Sequence, residues 1–188
     1  GGVRVMCSGD LGPEHKVFHP KPGGPGGFDY VVCESTYGAR VRDKVTAEER
    51  RRLLQAEVQG ALARGGNLVV PVFALERTQE LLLDLAILNR SGAIPRVQVF
   101  VDSPLANKVT QVFARYAHEL EDVAGSDVFE RGTFHFTGDV SESIRLNSIS
   151  GAVILAGSGM CEGGRIRHHL LHNLHRREST VLFVGYQA

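Results

Sequence analysis

The sequence predicts an α/β fold built on a mainly parallel sheet with helices on both faces. Seven short apolar runs rich in β-branched residues indicate strands, and several are continuous, as strands buried on both faces require. Helical patterns separate most of these runs, which is the order expected of right-handed crossover units. The composition, 188 residues with 43% hydrophobic and 22% charged residues, is typical of a globular domain.

The predicted strands are bounded by clusters of glycine, proline and polar residues. Between the first two strands, residues 12–27 hold four of the seven prolines and are predicted to form a surface loop. Pro71 lies inside the third strand and lacks the N–H that a central ladder needs, so we expect an edge position or a bulge there. The strands are Val3–Cys7, Tyr30–Cys33, Leu68–Phe73, Val97–Val101, Thr133–Phe136, Ala152–Ala156 and Thr180–Gly185.

Capping residues and apolar periodicity predict five helices. Thr46-Ala-Glu-Glu49 is a capping box, and Ser103-Pro104 places an N-cap residue before a proline at the first helical position. The helices run from Thr46 to about Arg64, from about Glu76 to Asn89, from Ser103 onward, near Ser141–Asn147 and near Gly163–His175.

The same periodicity predicts which side of a helix is buried. In the third helix the apolar positions are Val109, Val112, Phe113 and Tyr116. In the last helix they are Ile166, Leu170 and Leu174, which leaves a second face of His168, His172 and His175. No carboxylate or thiolate is placed to complete a metal site with these histidines, so we interpret them as solvent-facing.

Charge and cysteine content narrow the class of protein. Lys+Arg and Asp+Glu balance at 21 each, which argues against coating nucleic acid through net charge but leaves a local anion site open. The three cysteines form no C-x-x-C pair and indicate free thiols in a reducing compartment, so we expect a cytoplasmic protein. No apolar run reaches the ~18 residues that a membrane span needs. For Cys161, a thiol activated at a helix N-terminus and a buried inert thiol both stay open.

Several strands pass through a small polar turn into a helix N-terminus. The clearest is Gly157–Gly164 after Ala152–Ala156, and Asp102-Ser103-Pro104 after Val97–Val101 is another. Ligands of open parallel sheets bind at the carboxyl ends of strands, and helix N-termini favour phosphate or carboxylate. The turns therefore predict an anion site, although glycines of this kind also make tight turns with no ligand. The spacing Gly157-x-Gly159-x-x-x-Gly163 is one residue off the dinucleotide fingerprint, which weakens a nicotinamide-dependent oxidoreductase.

Two acids also follow strands directly. Asp10 follows the first strand and Glu34 ends the second, and carboxylates held there are placed to bind metal or move protons. For Asp10, capping of its own turn is the structural alternative.

Six segments, taken in order, resemble one family. They are Ser8–Gly12, Glu34–Gly38, Pro71–Leu82, Asp102–Ala106, Ser158–Leu170 and Val181–Gln187. The series resembles the metallo-β-lactamase nucleases with a β-CASP domain, the group that includes the mRNA 3′-end cleavage endonuclease and its prokaryotic relatives. The resemblance implies a Rossmann-like β-CASP domain over residues 39–188, incomplete at its C-terminal end. It implies that residues 1–38 are the end segment of a metallo-β-lactamase domain.

The resemblance also implies a zinc-dependent ribonuclease acting on single-stranded RNA. In such enzymes two Zn²⁺ ions bridge a hydroxide, polarise the scissile phosphate and stabilise the leaving oxygen. Asp10 matches the bridging metal ligand, and Glu34 matches the catalytic acid that orients a histidine beside the metals. The candidates for RNA phosphate binding are Arg77, Ser103, Ser158, Gly159 and Arg165.

The family's main metal-binding run, His-x-His-x-Asp-His, is not in this sequence. We expect it upstream of residue 1, and the family's later histidines beyond Ala188, so the chain resembles an internal segment. Alone, the chain is then expected to hold no stoichiometric zinc and to cleave no RNA. A DNA-processing β-CASP nuclease and a non-catalytic RNA-binding scaffold are the alternatives, and homo-oligomer formation is left open. Glu34 and Ser158-Gly-Met160 resemble the RNA-directed branch more closely.

Overall fold

The computed structural model describes residues 2–11, 16–20, 23–39, 45–121, 123, 126–129 and 134–185. The predicted fold class is confirmed, because a parallel five-stranded sheet is flanked by helices. The chain divides into two compact units, residues 1–45 with 120–122 and residues 46–119 with 123–188. The assignment of residues 1–38 to a metallo-β-lactamase domain stays a prediction. No helix in the described ranges is long and apolar enough to cross a membrane.

The first unit contains a two-stranded parallel sheet. Strand β1 (Val5–Cys7) pairs with β2 (Tyr30–Val32), with Val5 opposite Tyr30. Both predicted strands are confirmed, although each is shorter than its apolar run. The side chains of β2 are 58–64% exposed, so neither face of this sheet has a core in the described part of the unit. In the predicted loop, the described residues form only isolated bridges, one of which pairs Phe18 with Glu121.

The second unit alternates strands and helices. Its strands lie in the order β5-β4-β6-β3-β7, and all the pairs are parallel. The elements are α1 (Ala47–Ala63), β3 (Leu68–Pro71), α2 (Arg77–Arg90), β4 (Gln98–Asp102), α3 (Pro104–Arg115), β5 (His135–Phe136), α4 (Val140–Arg145), β6 (Ala152–Ala156), α5 (Ile166–Asn173) and β7 (Thr180–Val181). Short 3₁₀ helices cover Ala117–Glu119, Ser126–Phe129 and Leu146–Ser148.

Strand β6 is the centre of the sheet. All five of its residues are buried, and its last residue, Ala156, is in register with Asp102 of β4 and Pro71 of β3. The carboxyl ends of the three central strands therefore meet at one edge. The continuous apolar run of β6 is what a strand covered on both faces requires.

The capping residue of α1 behaves as predicted, but its partner does not. The Thr46 hydroxyl accepts a hydrogen bond from the Glu49 backbone N–H at 3.1 Å, which fixes the start of the helix. The Glu49 carboxylate instead pairs with Arg52, so the reciprocal half of the capping box is replaced by an ion pair. Leu54, Val58 and Ala61 are buried as the periodicity predicts.

The prediction that Pro71 lies on an edge strand or at a bulge is wrong, and the local pairing explains why a proline is tolerated there. Strand β3 lies between β6 and β7, so it is not an edge strand. The ladder with β7 pairs Leu68 with Thr180 and Val69 with Val181, and the next backbone bond runs from Leu182 N to Val69 O at 2.9 Å. Because alternate residues face the same neighbour, the Pro71 nitrogen points toward β7 beyond the last paired residue. No ladder partner is lost there.

The predicted buried face of α3 is right for Val109 and Phe113, which are half-buried, and wrong for Val112 and Tyr116. Its buried residues are Ala106 and Thr110, whereas Val112 and Tyr116 are 53% and 45% exposed. The Thr110 hydroxyl accepts a hydrogen bond from Gln79 at 2.9 Å, so a polar residue can face the core without an unpaired group.

The predicted stripe of α5 is right for Ile166 and for Leu170, which packs against the core, but wrong for Leu174. Ile166, His169 and Asn173 are buried, while Leu174 is 69% exposed. Because His169 Nε2 and the Asn173 side chain form hydrogen bonds inside the protein, this polar row can face inward while Leu174 faces solvent. Cys161, before this helix, is half-buried, and burial raises the pKa of its thiol, so the activated-thiol alternative is wrong.

Candidate functional site

The turn from β6 to α5, residues Gly157–Gly164, folds back on itself. The Ser158 backbone N–H donates to the Gly163 carbonyl at 3.0 Å, and the Ile166 N–H donates to the Gly157 carbonyl at 2.9 Å. Gly164 has a φ of +77°, and a Cβ there would lie 2.4 Å from the Gly157 oxygen. Glycine at 164 is therefore required by both backbone conformation and space.

This turn packs between the ends of the neighbouring strands. A Cβ on Gly159 would lie 2.7 Å from the Phe73 ring, just past β3, and one on Gly157 would lie 3.7 Å from the Ser103 hydroxyl, just past β4. Three predicted positions, Ser103, Ser158 and Gly159, are thus brought together at one edge of the sheet.

Two serines in this group have different hydrogen-bonding states. The Ser103 hydroxyl caps α3 as predicted, accepting from the Ala106 N–H at 3.2 Å. The Ser158 hydroxyl oxygen is buried and has no hydrogen-bond partner in the described part of the chain. A buried polar atom without a protein partner costs free energy unless a ligand or water satisfies it.

Arg165 follows the turn and contacts the end of β4. Its Nη1 donates to Asp102 Oδ1 at 2.7 Å and to the Thr137 hydroxyl at 3.3 Å. The side chain is 19% exposed, and its other guanidinium nitrogens have no partner among the described residues. The guanidinium therefore keeps N–H groups for a ligand while one of its nitrogens is fixed by the protein.

Asp102 is the centre of a buried polar cluster, defined here as Asp102, Thr137, Ser143, Arg165 and His169. Its Oδ1 accepts from Arg165 and Thr137, and its Oδ2 accepts from the Ser143 hydroxyl and His169 Nε2, both at 2.6 Å. Burial alone would raise the pKa of Asp102, but the hydrogen bonds from His169, Ser143, Thr137 and Arg165 outweigh it and hold the pKa well below its usual range. The carboxylate is thus ionised and acts only as an acceptor.

Arg77 is placed differently from the other predicted residues. It begins α2 after β3, but its guanidinium pairs with Glu80, and none of its described contacts reaches Ser158 or Arg165. Burial raises the pKa of Glu80 despite this neighbour. The Arg77 side chain is 42% exposed, so it lies at the same sheet edge as a solvent-accessible cation.

A cavity of about 780 Å³ lies beside the polar cluster. Its wall is mixed: four phenylalanines, among them Phe134 and Phe136, alternate with polar and charged side chains that include Thr137, His135 and Arg145. None of the five residues predicted to bind phosphate lines this cavity. The cavity is therefore separate from the predicted phosphate-binding positions.

In the first unit, the two predicted acids lie on neighbouring segments. Glu34 Oε1 accepts from the Leu11 N–H at 3.1 Å, and its Oε2 accepts from the Thr36 N–H at 2.8 Å. Hydrogen bonds from Thr36, and then from Leu11, lower the pKa of Glu34. Asp10 precedes Leu11, is exposed, and has no partner among the residues that the structure describes.

The two acids do not by themselves provide the ligands of the zinc ions that the resemblance implies. No group of three histidine, cysteine, aspartate or glutamate side chains in the described ranges lies close enough to hold a metal ion. Asp10 offers one free carboxylate, and both oxygens of Glu34 are engaged by backbone N–H groups. A zinc ion needs three or four protein ligands, so the described residues do not form a zinc centre by themselves.

Sequence reasoning missed most of the polar cluster. Asp102 and His169 lie inside the segments that resemble the family, but the sequence predicts no role for them, and it does not single out Thr137 or Ser143. An acid that ends a continuous apolar strand is a usable signal for Asp102. The sequence holds no comparable signal for His169, because its partner Asp102 is 67 positions away.

Comparison with known proteins identifies relatives of this chain. It is 35% identical to "Ribonuclease TTHA0252" of Thermus thermophilus over 193 residues, covering 99% of this chain and 44% of that protein. It is 30% identical to "Transcription termination factor FttA" of Methanosarcina mazei, covering 98% of this chain and 30% of that protein. It is 31% identical to "Endoribonuclease ysh1" of Schizosaccharomyces pombe, covering all of this chain and 25% of that protein.

The chain thus spans less than half the length of each of these relatives. A family described as the Beta-Casp domain matches residues 78–188, which is more than half of the chain and includes the turn, Asp102 and α5. With the resemblance of the six motifs confirmed, the chain belongs to the Beta-Casp domain family.

Proposed function

We propose that this chain is the RNA-clamping portion of a zinc-dependent ribonuclease, and that it holds single-stranded RNA by its phosphates at the turn from β6 to α5. The observation that carries the proposal is the buried, unpartnered Ser158 hydroxyl in the turn that leads to Arg165. A phosphate oxygen would accept from both groups, since hydroxyls and guanidinium N–H groups are its usual partners in proteins. The names of the relatives, a ribonuclease and an endoribonuclease, support RNA as the polymer.

Each residue of the site has a defined task in this proposal. Arg165 donates its free N–H groups to a phosphate, Ser158 donates its hydroxyl, and Gly159 lets the Phe73 ring pack closely against the turn that presents them. Ser103 fixes the start of α3 beside the same phosphate. Arg77, at 42% exposure, supplies a second cation for a neighbouring phosphate along the strand.

The first unit would contribute to the metal centre of the full-length protein. Asp10 would be one zinc ligand, and Glu34, already fixed by the Leu11 and Thr36 N–H groups, would orient a histidine beside the metals. When bound, zinc supplies a nucleophilic hydroxide and charge stabilisation at the scissile phosphate. Because the described residues form no zinc centre, we expect the 188-residue chain to bind no stoichiometric zinc and to cleave no RNA. Metal analysis that finds two tightly bound zinc ions per chain would contradict this.

The clamp is tested by titrating the chain with a short single-stranded oligouridylate at several salt concentrations. Phosphate binding predicts a steep loss of affinity with salt, and Arg165→Ala should reduce the slope by about one ion. Arg115→Ala, at the far end of α3, removes an exposed arginine from the opposite edge of the sheet and should leave the slope unchanged. An unchanged slope for Arg165→Ala would remove this residue from the site.

The alternative polymer is tested in the same assay with a matched single-stranded DNA. Equal affinity would favour a DNA-processing nuclease or a clamp that reads only the phosphate backbone. A preference for RNA supports the proposal, because only RNA offers the 2′-hydroxyl as an additional donor and acceptor.

A further inference from the structure

We infer that His169 and Ser143 are positioning residues that determine how many N–H groups Arg165 presents to a phosphate. They occupy one oxygen of Asp102, which limits Arg165 to a single contact with the other oxygen. The inference rests on the proposed function, since it concerns the arginine assigned there to phosphate binding.

The hydrogen bonds to Asp102 divide evenly between its two oxygens. Oδ2 accepts from His169 Nε2 and from the Ser143 hydroxyl, each at 2.6 Å. Oδ1 accepts from Thr137 and from Arg165 Nη1. A carboxylate oxygen has two lone-pair sites, so Oδ2 is fully occupied and has no capacity for a second arginine nitrogen.

The second unit contains a comparison for this arrangement. Asp84, also fully buried, accepts from Arg50 Nε at 2.6 Å and from Arg50 Nη2 at 2.9 Å, so this pair is bidentate. No hydroxyl or imidazole donates to Asp84 among the described residues; the nearest other cation is Arg51 Nη1 at 3.8 Å. A buried carboxylate without competing donors therefore takes its arginine with both oxygens, which is the stronger geometry.

His169 is suited to this role and is used for nothing else that the structure describes. Its side chain is fully buried, and because an ionised carboxylate only accepts, Nε2 must carry the hydrogen directed at Asp102. Its Nδ1 has no partner in the described part of the chain. The only described side-chain hydrogen bond of the imidazole is thus the one that keeps Asp102 Oδ2 from Arg165.

Removing the imidazole donor should pull the guanidinium inward. With Oδ2 open, Arg165 would close onto Asp102 with two nitrogens, as Arg50 does with Asp84, and fewer N–H groups would face the turn. The consequence is weaker RNA binding without any change in the number of arginines.

The test compares His169→Phe, which keeps a flat ring but has no donor, with His169→Gln, whose amide N–H reaches as far as Nε2. With a short oligouridylate as the probe, we expect His169→Phe to weaken binding by about tenfold, the value of one charge-assisted hydrogen bond, and to reduce the salt slope toward that of Arg165→Ala. His169→Gln should bind like the unsubstituted chain. Asn173→Ser is the matched control, because Asn173 is buried on the same helix and its side chain bonds to Asn67 and to the His169 backbone carbonyl, but not to the His169 imidazole or to Asp102.

The outcomes separate the inference from the proposed function. If Arg165→Ala binds RNA normally, Arg165 is not part of the proposed site and the inference fails with it. If Arg165→Ala weakens binding while folded His169→Phe does not, or if His169→Gln fails to restore binding, the positioning role is overturned and the clamp stands. If thermal unfolding shows that His169→Phe does not fold, Ser143→Ala decides. It opens one lone-pair site on Oδ2 and should weaken RNA binding by a few-fold, and unchanged affinity would overturn the inference.

Discussion

Two buried aspartates of the second unit each bind an arginine, and the two pairs differ in how many guanidinium nitrogens bond to the carboxylate. Asp84 takes Arg50 with both oxygens, and the arginine is committed to linking α1 to α2. Asp102 takes Arg165 with one oxygen only, because three other donors share the carboxylate. The comparison teaches that the donors around a carboxylate, and not the ion pair itself, decide whether an arginine stays available to a ligand.

The largest expected effect is on the free energy of unfolding when either aspartate is replaced by alanine. Asp102→Ala removes the acceptor that His169, Ser143, Thr137 and Arg165 share in a buried site, and we expect a loss of about 3–5 kcal/mol in the free energy of unfolding. Asp84→Ala should cost less, about 1–3 kcal/mol, because Arg50 is 31% exposed and can be hydrated. Urea unfolding of both variants measures this, and equal losses would contradict the comparison.

A second difference is expected at low pH. The pKa of Asp102 in the folded protein is far below its unfolded value of about 3.9, so in the pH window between them the unfolded chain binds a proton that the folded chain does not. The contribution of Asp102 to stability is therefore complete above the unfolded pKa and is lost as the pH falls below it. Unfolding midpoints measured from pH 5 downward should fall less steeply in Asp102→Asn. If the unfolding midpoints of the two proteins fell in parallel with pH, Asp102 would not contribute this pH-dependent stability.

A third prediction concerns binding by the two arginines. Arg165→Ala should weaken oligouridylate binding by about tenfold, whereas Arg50→Ala should leave it unchanged because its guanidinium is already bidentate. Fluorescence anisotropy at one low salt concentration is sufficient. If folded Arg50→Ala lost affinity for the oligouridylate, the way an arginine pairs with its buried aspartate would not decide whether it can bind RNA.

The smallest expected effect concerns Ser158. Since its hydroxyl has no protein partner in the described chain, Ser158→Ala should leave the melting temperature unchanged or slightly higher. The same variant should reduce RNA affinity by a few-fold, the value of one neutral hydrogen bond. A clear loss of stability would show that the hydroxyl has a structural partner after all.

The sequence predicted those parts of the fold that local patterns determine. Ala152–Ala156 is a strand with the bounds predicted, because a continuous apolar run has one solution in a covered parallel sheet. The approach of Ser103 to Gly157 followed from the rule that parallel strands bring their carboxyl ends to one edge.

The misses share a physical cause, which is that the partner lies far away in the sequence. His169 faces inward only because Asp102 satisfies it, and no periodicity in α5 can show that. Leu174 was expected inside and is exposed for the same reason. The pairing of Arg77 with Glu80 was within reach, since an arginine and a glutamate three positions apart on a helix lie side by side.

The small sheet of the first unit has a practical consequence. In a two-stranded sheet both strands are edges, and the exposed Tyr30, Val31 and Val32 give those edges an apolar surface. Such a ribbon is a template on which further strands add, so the purified chain should form soluble aggregates as its concentration rises. Val31→Lys would place a charge on that ribbon and should keep the preparation monodisperse in light scattering. The second unit, with its covered sheet, should keep its melting temperature.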